Sequence, residues 1–253
     1  MSISLRGAAL TLMSSVLLTS TAHAGIFDLD PAEGGFYVSG FVGAAFPFDA
    51  SFDGTQDPAE GVPGAAGADA DIDADFDTTV HFGGRVGAKL PFKYWKYFQP
   101  RLELEISHFD SDVSDGSFNG GAQTFSGDQS TTLYLINNNS DWQWRDDQRI
   151  IPYFGGGLGI ATVDTDIQYF PGTATAPTFA VQGDDTGFAT ISTLGLTFKA
   201  TETFDVYTEA RYLKTYGIDA ERTFIANGAS GFSADVDDDP DGITLTVGAR
   251  INF

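Results

Sequence analysis

The sequence predicts an all-β fold, namely an eight-stranded antiparallel up-and-down transmembrane β-barrel. Eight segments of the 253-residue chain alternate between apolar and polar residues with a period of two, which is typical of strands with two unlike faces. The stretches between them alternate between long and short, as in a barrel with outer loops and inner turns. No segment approaches the about 20 consecutive apolar residues that a membrane helix requires.

The first element is an N-terminal export signal over residues 1–24. Arg6 forms its positive end, an apolar run extends from Ala8 to Leu18, and Ala22-His23-Ala24 matches an A-x-A cleavage site. The run is too short to cross a bilayer, so we expect the signal to be removed after export. Residues 25–253 are then expected to form one barrel domain, because no linker or change of composition divides them.

Eight strands are predicted in the rest of the chain, most of them near the ~9–11 residues that a tilted strand needs to cross the hydrocarbon layer. Alternation is cleanest in the second strand and in the last, where apolar side chains from Ile243 to Phe253 oppose Thr, Gly, Arg and Asn. Phe41 interrupts it in the first strand, and it is slight in the fourth. The predicted strands cover residues 36–46, 78–90, 99–109, 130–137, 150–163, 186–199, 204–214 and 242–253.

The connections predict which end of the barrel faces outward. The long ones are polar and acidic and are expected to be four outer loops, whereas the shorter ones are expected to be periplasmic turns. Aromatic residues in two of the turns are expected to form a girdle at the periplasmic interface. The long connections are residues 47–77, 110–129, 164–185 and 215–241, and the short ones are 91–98, 138–149 and 200–203. The girdle residues are Tyr94, Trp95, Tyr97, Phe98, Trp142 and Trp144.

Charge and composition exclude several functional classes. The net charge is −22, and residues 47–77 contain many carboxylates but no Lys or Arg. Such a surface repels nucleic acid, whose binding requires a basic patch. The chain has no Cys, which excludes thiol catalysis and zinc–thiolate sites.

Charged residues on the polar strand faces are predicted to lie inside the barrel. The interior of an eight-stranded barrel is just wide enough for side chains to fill it, and buried charges persist only when they are paired. We therefore expect a salt-bridge network that plugs the interior, with a narrow pore lined by the same charges as the alternative. The residues are Arg85, Lys89, Arg101, Glu103, Glu105, Asp205, Glu209, Arg211 and Arg250.

Three motifs carry a family resemblance. They are Gly34-Gly-Phe-Tyr-Val-Ser-Gly in the first strand, Pro152-Tyr-Phe-Gly-Gly-Gly-Leu-Gly-Ile-Ala in the fifth, and the ending Thr246-x-Gly248-x-x-Ile251-x-Phe253. With them, nearly the whole mature chain resembles the small outer-membrane barrels of the OmpA transmembrane-domain and OmpX type. The resemblance implies that the ending is an insertion signal read by the barrel-assembly machinery. It also implies a place in the outer membrane of a Gram-negative cell, among outer-membrane lipid and lipopolysaccharide.

The two histidines after the export signal are candidate catalytic bases. His81 and His108 are expected near the outer rim, where an outer-leaflet lipid hydrolase would act. A hydrolase needs its base within hydrogen-bond distance of the nucleophile, yet the adjacent Ser107 and His108 are expected on opposite faces of one strand. We therefore expect no enzymatic activity and keep the hydrolase as an alternative.

One acidic motif suggests a metal. Asp237, Asp239 and Asp241, followed by Gly242, match the first half of a calcium-binding loop, but Gly248 occupies the position of its closing glutamate. The expectation is low-affinity calcium at most and no other cofactor. The role expected for the barrel is structural or interactive and is carried by the acidic loops. A narrow pore, a lipid hydrolase and a secreted soluble β-protein are the alternatives.

Overall fold

The computed structural model describes residues 29–48, 50–56, 66–171, 176–226 and 233–253. The predicted export signal, residues 1–24, lies outside this part of the chain. Within it, strands predominate, and no helix has the length and apolar character needed to span a membrane.

The described strands belong to one antiparallel sheet. Fourteen of them are found: β1 (Leu29–Pro31), β2 (Gly35–Pro47), β3 (Ala50–Gly54), β4 (Ile72–Phe76), β5 (Thr79–Lys89), β6 (Phe92–Tyr94), β7 (Phe98–Phe118), β8 (Gly121–Trp142), β9 (Ile150–Pro171), β10 (Phe179–Lys199), β11 (Phe204–Tyr216), β12 (Ile218–Phe224), β13 (Ser233–Asp238) and β14 (Asp241–Asn252). The two shortest, β1 and β6, pair with each other.

Four long strands, β7 to β10, run the full height of the barrel. Each has 21 or 22 residues and pairs with the next in chain order. Two sets of four short strands, one above the other, complete the barrel wall between β7 and β10. The lower tier consists of β5, β2, β14 and β11 with the adjoining halves of β7 to β10, and the upper tier of β4, β3, β13 and β12 with the other halves of β7 to β10. Hydrogen-bonded pairing therefore closes around the barrel in both tiers.

The strand count differs from the eight predicted from the sequence. Four of the additional strands, β3, β4, β12 and β13, arise because the wall opposite β7 to β10 is interrupted between the two tiers, and the other two are the short pair β1 and β6. β13 and β14 are separated at Pro240, which has no N–H to donate. β11 and β12 are separated at Gly217, whose φ of 69° is readily adopted by glycine.

The long connections predicted as loops are largely strands. Residues 110–129 belong mostly to β7 and β8, and residues 164–185 mostly to β9 and β10. The loop prediction was wrong there because it rested on the length of these stretches and on their polar, acidic composition. Apolar side chains alternate with them and are buried inside, as Val113, Phe125 and Ile167 show.

The two tiers have opposite polarity. In the lower tier, apolar side chains such as Leu104, Leu158 and Leu245 are exposed on the outside and charged ones are buried inside. In the upper tier the inside is apolar, and the outside carries aspartates. This polarity suits lipid around the lower tier and water around the upper tier. The upper-tier core is Ala50, Phe52, Ile72, Ala74, Val113, Phe125, Ile167, Tyr169, Val181, Ala220 and Val236.

Aromatic side chains border the exposed apolar belt of the lower tier at both ends. Such rings are typical of the two lipid–water interfaces of a membrane barrel. The upper border includes Phe48, Phe188, Tyr212 and Tyr216, and the lower border includes Phe36, Trp95, Tyr97, Trp142, Trp144 and Phe253.

Candidate functional site

The interior of the lower tier is the main candidate site. Its charged side chains project inward because alternate residues of a strand share a face. All of the charges predicted for the interior are found there, and all are buried except Lys89, which is half-buried. They come from β5 (Arg85, Lys89), β7 (Arg101, Glu103, Glu105), β11 (Asp205, Glu209, Arg211) and β14 (Arg250).

Glu105 and Glu209 organise the upper part of this charged layer. Arg85 donates from its two Nη atoms to the Glu209 carboxylate at 2.8 and 2.7 Å, and from Nε to Glu105 at 2.7 Å. Arg211 and Asn137 also donate to Glu105, at 2.9 and 2.8 Å. A guanidinium that bonds a carboxylate through two parallel hydrogen bonds is among the stronger buried pairs.

Glu103 organises the lower part of the layer. It accepts hydrogen bonds from the Tyr37 hydroxyl at 2.5 Å and from Asn139 Nδ2 at 3.1 Å. Arg101 and Arg250 lie 3.7 and 3.9 Å from its Oε1. Together with Arg85, whose Nε lies 4.0 Å from Oε2, these two arginines place three guanidiniums around one carboxylate.

Each of these two arginines has a second acidic partner. Arg101 Nε lies 3.2 Å from Asp141 Oδ1, and Arg250 Nη1 lies 3.8 Å from Asp205 Oδ2. Lys89 Nζ is also 3.8 Å from Asp205. Asp141 was not among the predicted interior residues, because residues 138–149 were expected to form a turn, whereas β8 continues to Trp142.

Aromatic rings that the sequence analysis missed pack beneath the guanidiniums. Phe41, treated as an interruption of the first strand, is an inward residue that is 6% exposed, and its ring centre lies 4.4 Å from Arg85 Cζ. Tyr153 and Tyr37 lie 4.6 Å from Arg101 and Arg250 in the same way. Strand parity would have found Tyr37 and Phe41, since both have the parity of the inward residue Ser39.

Apolar side chains close the interior above the charged layer. His81 lies at the boundary, buried, with its ring centre 5.2 Å from that of Phe41 and 5.6 Å from that of Phe109. The apolar layer and the upper-tier core therefore separate the charges from the outer end. This layer is Ala45, Phe109, Leu133, Leu135, Ala161, Val163, Ala189, Ile191, Leu213 and Ile218.

Ser107 and His108 are not brought together. Ser107 is buried inside and donates a hydrogen bond to Glu105 Oε1 at 3.0 Å. His108 is on the other face of β7, where its Nδ1 lies 3.0 Å from Thr132 Oγ1 and its ring contacts Phe82. The barrel wall separates this nucleophile from this base.

The carboxylates of the predicted calcium motif have other partners. Asp239 Oδ1 accepts a hydrogen bond from the Gly217 N–H at 3.0 Å, and Asp241 Oδ2 accepts one from the Tyr212 hydroxyl at 2.5 Å. The side chain of Asp237 lies outside the described part. No group of three or more His, Asp or Glu placed to hold a metal is found among the described residues.

Three residues of the C-terminal motif lie on β14 and Phe253 follows it, and the four residues divide between the inside and the outside of the barrel. Thr246 points inward and donates to Glu209 at 3.4 Å. A Cβ at Gly248 would lie 2.3 Å from Cζ of Tyr207, so only glycine fits beside this inward ring. Ile251 and Phe253 are exposed on the outside. Two residues of the motif therefore pack in the interior, and the other two are exposed on the outer surface of the barrel.

The lower end of the barrel opens into a vestibule of about 1020 Å³. It is mixed in charge, with Lys89, Lys199 and Arg149 beside Glu33, Glu202 and Asp205 among its lining residues. Its upper side ends at the charged layer, since Lys89 and Asp205 belong to both.

The outside of the upper tier carries a cross-strand ladder of aspartates. Asp112 lies opposite Asp128, and Asp128 lies opposite Asp166 on the next strand. Reduced hydration and the repulsion of neighbouring aspartates raise the pKa of Asp128 above its usual range. Like charges placed directly opposite each other destabilise a sheet.

We expect Asp128→Asn to stabilise the protein at neutral pH by about 0.5 kcal/mol, because it removes this repulsion. A carboxyl whose pKa is raised by folding binds its proton more readily in the folded state, so its destabilising effect is present at neutral pH and disappears as pH falls through the raised pKa. Urea unfolding in vesicles should therefore show a higher free energy of unfolding for Asp128→Asn than for the wild-type protein at neutral pH. The difference should become smaller as the pH is lowered. Glu202→Gln, in an inner turn, is the control, and a gain independent of pH would contradict the prediction.

Arg222 is a basic residue whose side chain is buried in the upper-tier core. It is buried, with its guanidinium carbon 4.0 Å from the ring centre of Phe179 and 4.5 Å from that of Phe118. Its Nε donates a hydrogen bond to the Tyr169 hydroxyl. Burial raises the pKa of Tyr169 to about 12, although the Arg222 charge acts in the opposite direction. The pair gives the apolar core one defined polar contact.

Solved structures share this fold. The outer membrane protein OprG from Pseudomonas aeruginosa aligns with a TM-score of 0.51 and 16% sequence identity, over 88% of this chain and 97% of that one. The outer membrane protease OmpT from Escherichia coli aligns with a TM-score of 0.52 and 9% identity, over 90% and 99%. No protein-family model matches the chain, and no curated protein matches its sequence. The likeness confirms the β-barrel fold of outer-membrane proteins, but it does not confirm the OmpA and OmpX type or an activity.

Proposed function

We propose that the chain is an integral outer-membrane barrel of a Gram-negative cell with a plugged interior and a structural or surface-interaction role. The observation that carries this proposal is the inversion of polarity along the barrel. A lower tier with apolar side chains outside and paired charges inside suits lipid, and the aspartate-bearing upper tier suits water outside the cell. Acidic strands that continue beyond the apolar belt would present a rigid surface to the medium.

We also propose that eight strands cross the membrane. They are the four long strands β7 to β10 and the four lower-tier strands β2, β5, β11 and β14, whose pairings follow one another around the barrel. The exposed apolar residues lie on these strands, for example from Phe188 to Phe198 on β10. That length agrees with the ~9–11 residues of a tilted membrane strand.

Two layers of side chains, one above the other, close the interior and support the plugged state. The ion-paired layer fills the barrel between Arg101 and Glu209, and the apolar layer lies above it. An ion that passed would have to break buried pairs and then cross a layer of mainly apolar side chains, which is strongly unfavourable.

We expect the purified protein to give no steady single-channel conductance in a planar bilayer. The same sample should migrate differently on an SDS gel before and after boiling, because a closed barrel with paired strands resists SDS when cold. Boiled protein is the control for background current. Reproducible conductance steps would favour the narrow pore instead, and altered lipid A acylation in cells that produce the protein would favour the hydrolase.

A further inference from the structure

Two inner turns that are distant in sequence form one aromatic surface. We call it the inner aromatic patch; it consists of Tyr94, Trp95, Tyr97, Phe98, Trp142 and Trp144. The Gln143 N–H donates to the Tyr97 carbonyl at 2.7 Å and joins the two turns. Ring centres lie 5.5 Å apart for Tyr94 and Phe98, 6.0 Å for Phe98 and Trp142, and 5.2 Å for Trp142 and Trp144. The patch contains all three tryptophans of the chain.

The backbone of the patch is held in an uncommon conformation. Trp95 and Lys96, between β6 and β7, have φ values of 51° and 65°. L residues with side chains rarely adopt this region, and hairpin turns that need it usually carry Asn or Gly. The turn instead holds two large side chains outward, with Trp95 54% and Tyr97 46% exposed. Residues held in such conformations are concentrated at functional positions, including segments that contact ligands.

Basic side chains accompany the aromatic ones. Lys93 and Lys96 lie in the same turn, where residues 92–98 contain no carboxylate, and neither lysine has an ion pair within the described part of the chain. Lys93 is opposite Asp30 of β1, so Lys96 is the less compensated of the two. Arg145 follows Trp144 and is exposed, with Asp147 at 3.8 Å. Basic side chains are therefore concentrated beside the patch, although the chain as a whole has a net charge of −22.

We propose that the inner aromatic patch binds the headgroup of an anionic phospholipid in the periplasmic leaflet. Trp and Tyr rings prefer the headgroup level of a bilayer, where their polar atoms reach water and their rings reach the acyl chains. Lys96 and Arg145 extend their charged ends towards phosphate while their stems remain on the apolar surface. This inference rests on the proposed membrane orientation, and its test distinguishes failure of the orientation from failure of lipid selection.

The test uses the full mature chain refolded in vesicles of phosphatidylcholine with a minor fraction of phosphatidylglycerol. Bromine is placed either on the phosphatidylglycerol chains or on the same molar amount of phosphatidylcholine, so that only the labelled lipid differs. Because the tryptophans all lie in the patch, quenching of tryptophan fluorescence reports the lipid beside it. We expect brominated phosphatidylglycerol to quench at least about twofold more strongly, and Lys96→Gln to bring the ratio towards one.

Lys199→Gln, at the inner end of β10, is the control, and each variant is first checked for its mobility shift on heating. Equal quenching by the two lipids in the wild-type protein would overturn the inference while leaving the orientation intact. An equal loss of selectivity in Lys96→Gln and Lys199→Gln would also overturn it, because diffuse attraction would then explain the enrichment. Absence of quenching by either lipid would overturn the orientation and the inference together.

Discussion

Replacing Glu105 with alanine should lower the free energy of unfolding by about 3–5 kcal/mol, because it removes one partner of a buried ion-pair network. Glu105 accepts hydrogen bonds from Arg85 at 2.7 Å, Arg211 at 2.9 Å and Asn137 at 2.8 Å. Arg85 keeps Glu209, but Arg211 loses the carboxylate that compensates its charge. Urea unfolding in phosphatidylcholine vesicles, followed by tryptophan fluorescence, measures the change.

The matched control for this variant is Glu202→Ala, which removes an exposed glutamate from an inner turn and should change stability by less than about 0.5 kcal/mol. Adding Arg211→Leu to Glu105→Ala should restore part of the loss, because an apolar side chain leaves no buried charge unpaired. If Glu105→Ala alone is as stable as the wild-type protein, the charged layer does not hold the barrel together and the plugged state loses its main support.

Replacing Tyr169 with alanine should unfold the upper tier and leave the lower tier intact. Tyr169 is 1% exposed, and its ring stacks on Phe125 at 5.1 Å and on Phe179 at 5.4 Å. Loss of a large buried ring typically lowers stability by about 3–5 kcal/mol. Few strand pairings stabilise the upper tier, since β3 and β13 share two paired positions and β3 and β4 share three. We therefore expect local unfolding above the apolar belt.

Amide hydrogen exchange on the vesicle-embedded protein measures this effect. Residues 110–129, 164–171 and 179–185 should lose protection in Tyr169→Ala, while residues 99–109 and 242–253 keep it and the cold SDS mobility stays that of a folded barrel. Gln168→Ala, a half-exposed neighbour on the same strand, is the control. Simultaneous loss of protection in both tiers would show that the barrel unfolds as one unit and would contradict the prediction.

Period-2 alternation was sufficient to locate the lower-tier strands. The predicted second strand, residues 78–90, differs by one residue at each end from β5, and the predicted seventh, 204–214, begins where β11 begins. The upper tier was missed because its apolar faces are interrupted by aspartates and small residues. Their length and their polar, acidic composition therefore assigned these stretches to loops, although Ile167 and Tyr169 already showed the alternation.

By itself, the sequence determined the all-β class, the alternation of the lower-tier strands and most of the charged side chains that face inward there, because parity along a strand is a local property. Only the tertiary structure decided which charges meet. Arg85 and Glu209 are 124 residues apart and bond at 2.8 Å across the interior, which depends on the relative height of strands around the closed barrel. The same reason explains the inner aromatic patch and the upper-tier core, since each joins residues from strands whose register the sequence does not specify.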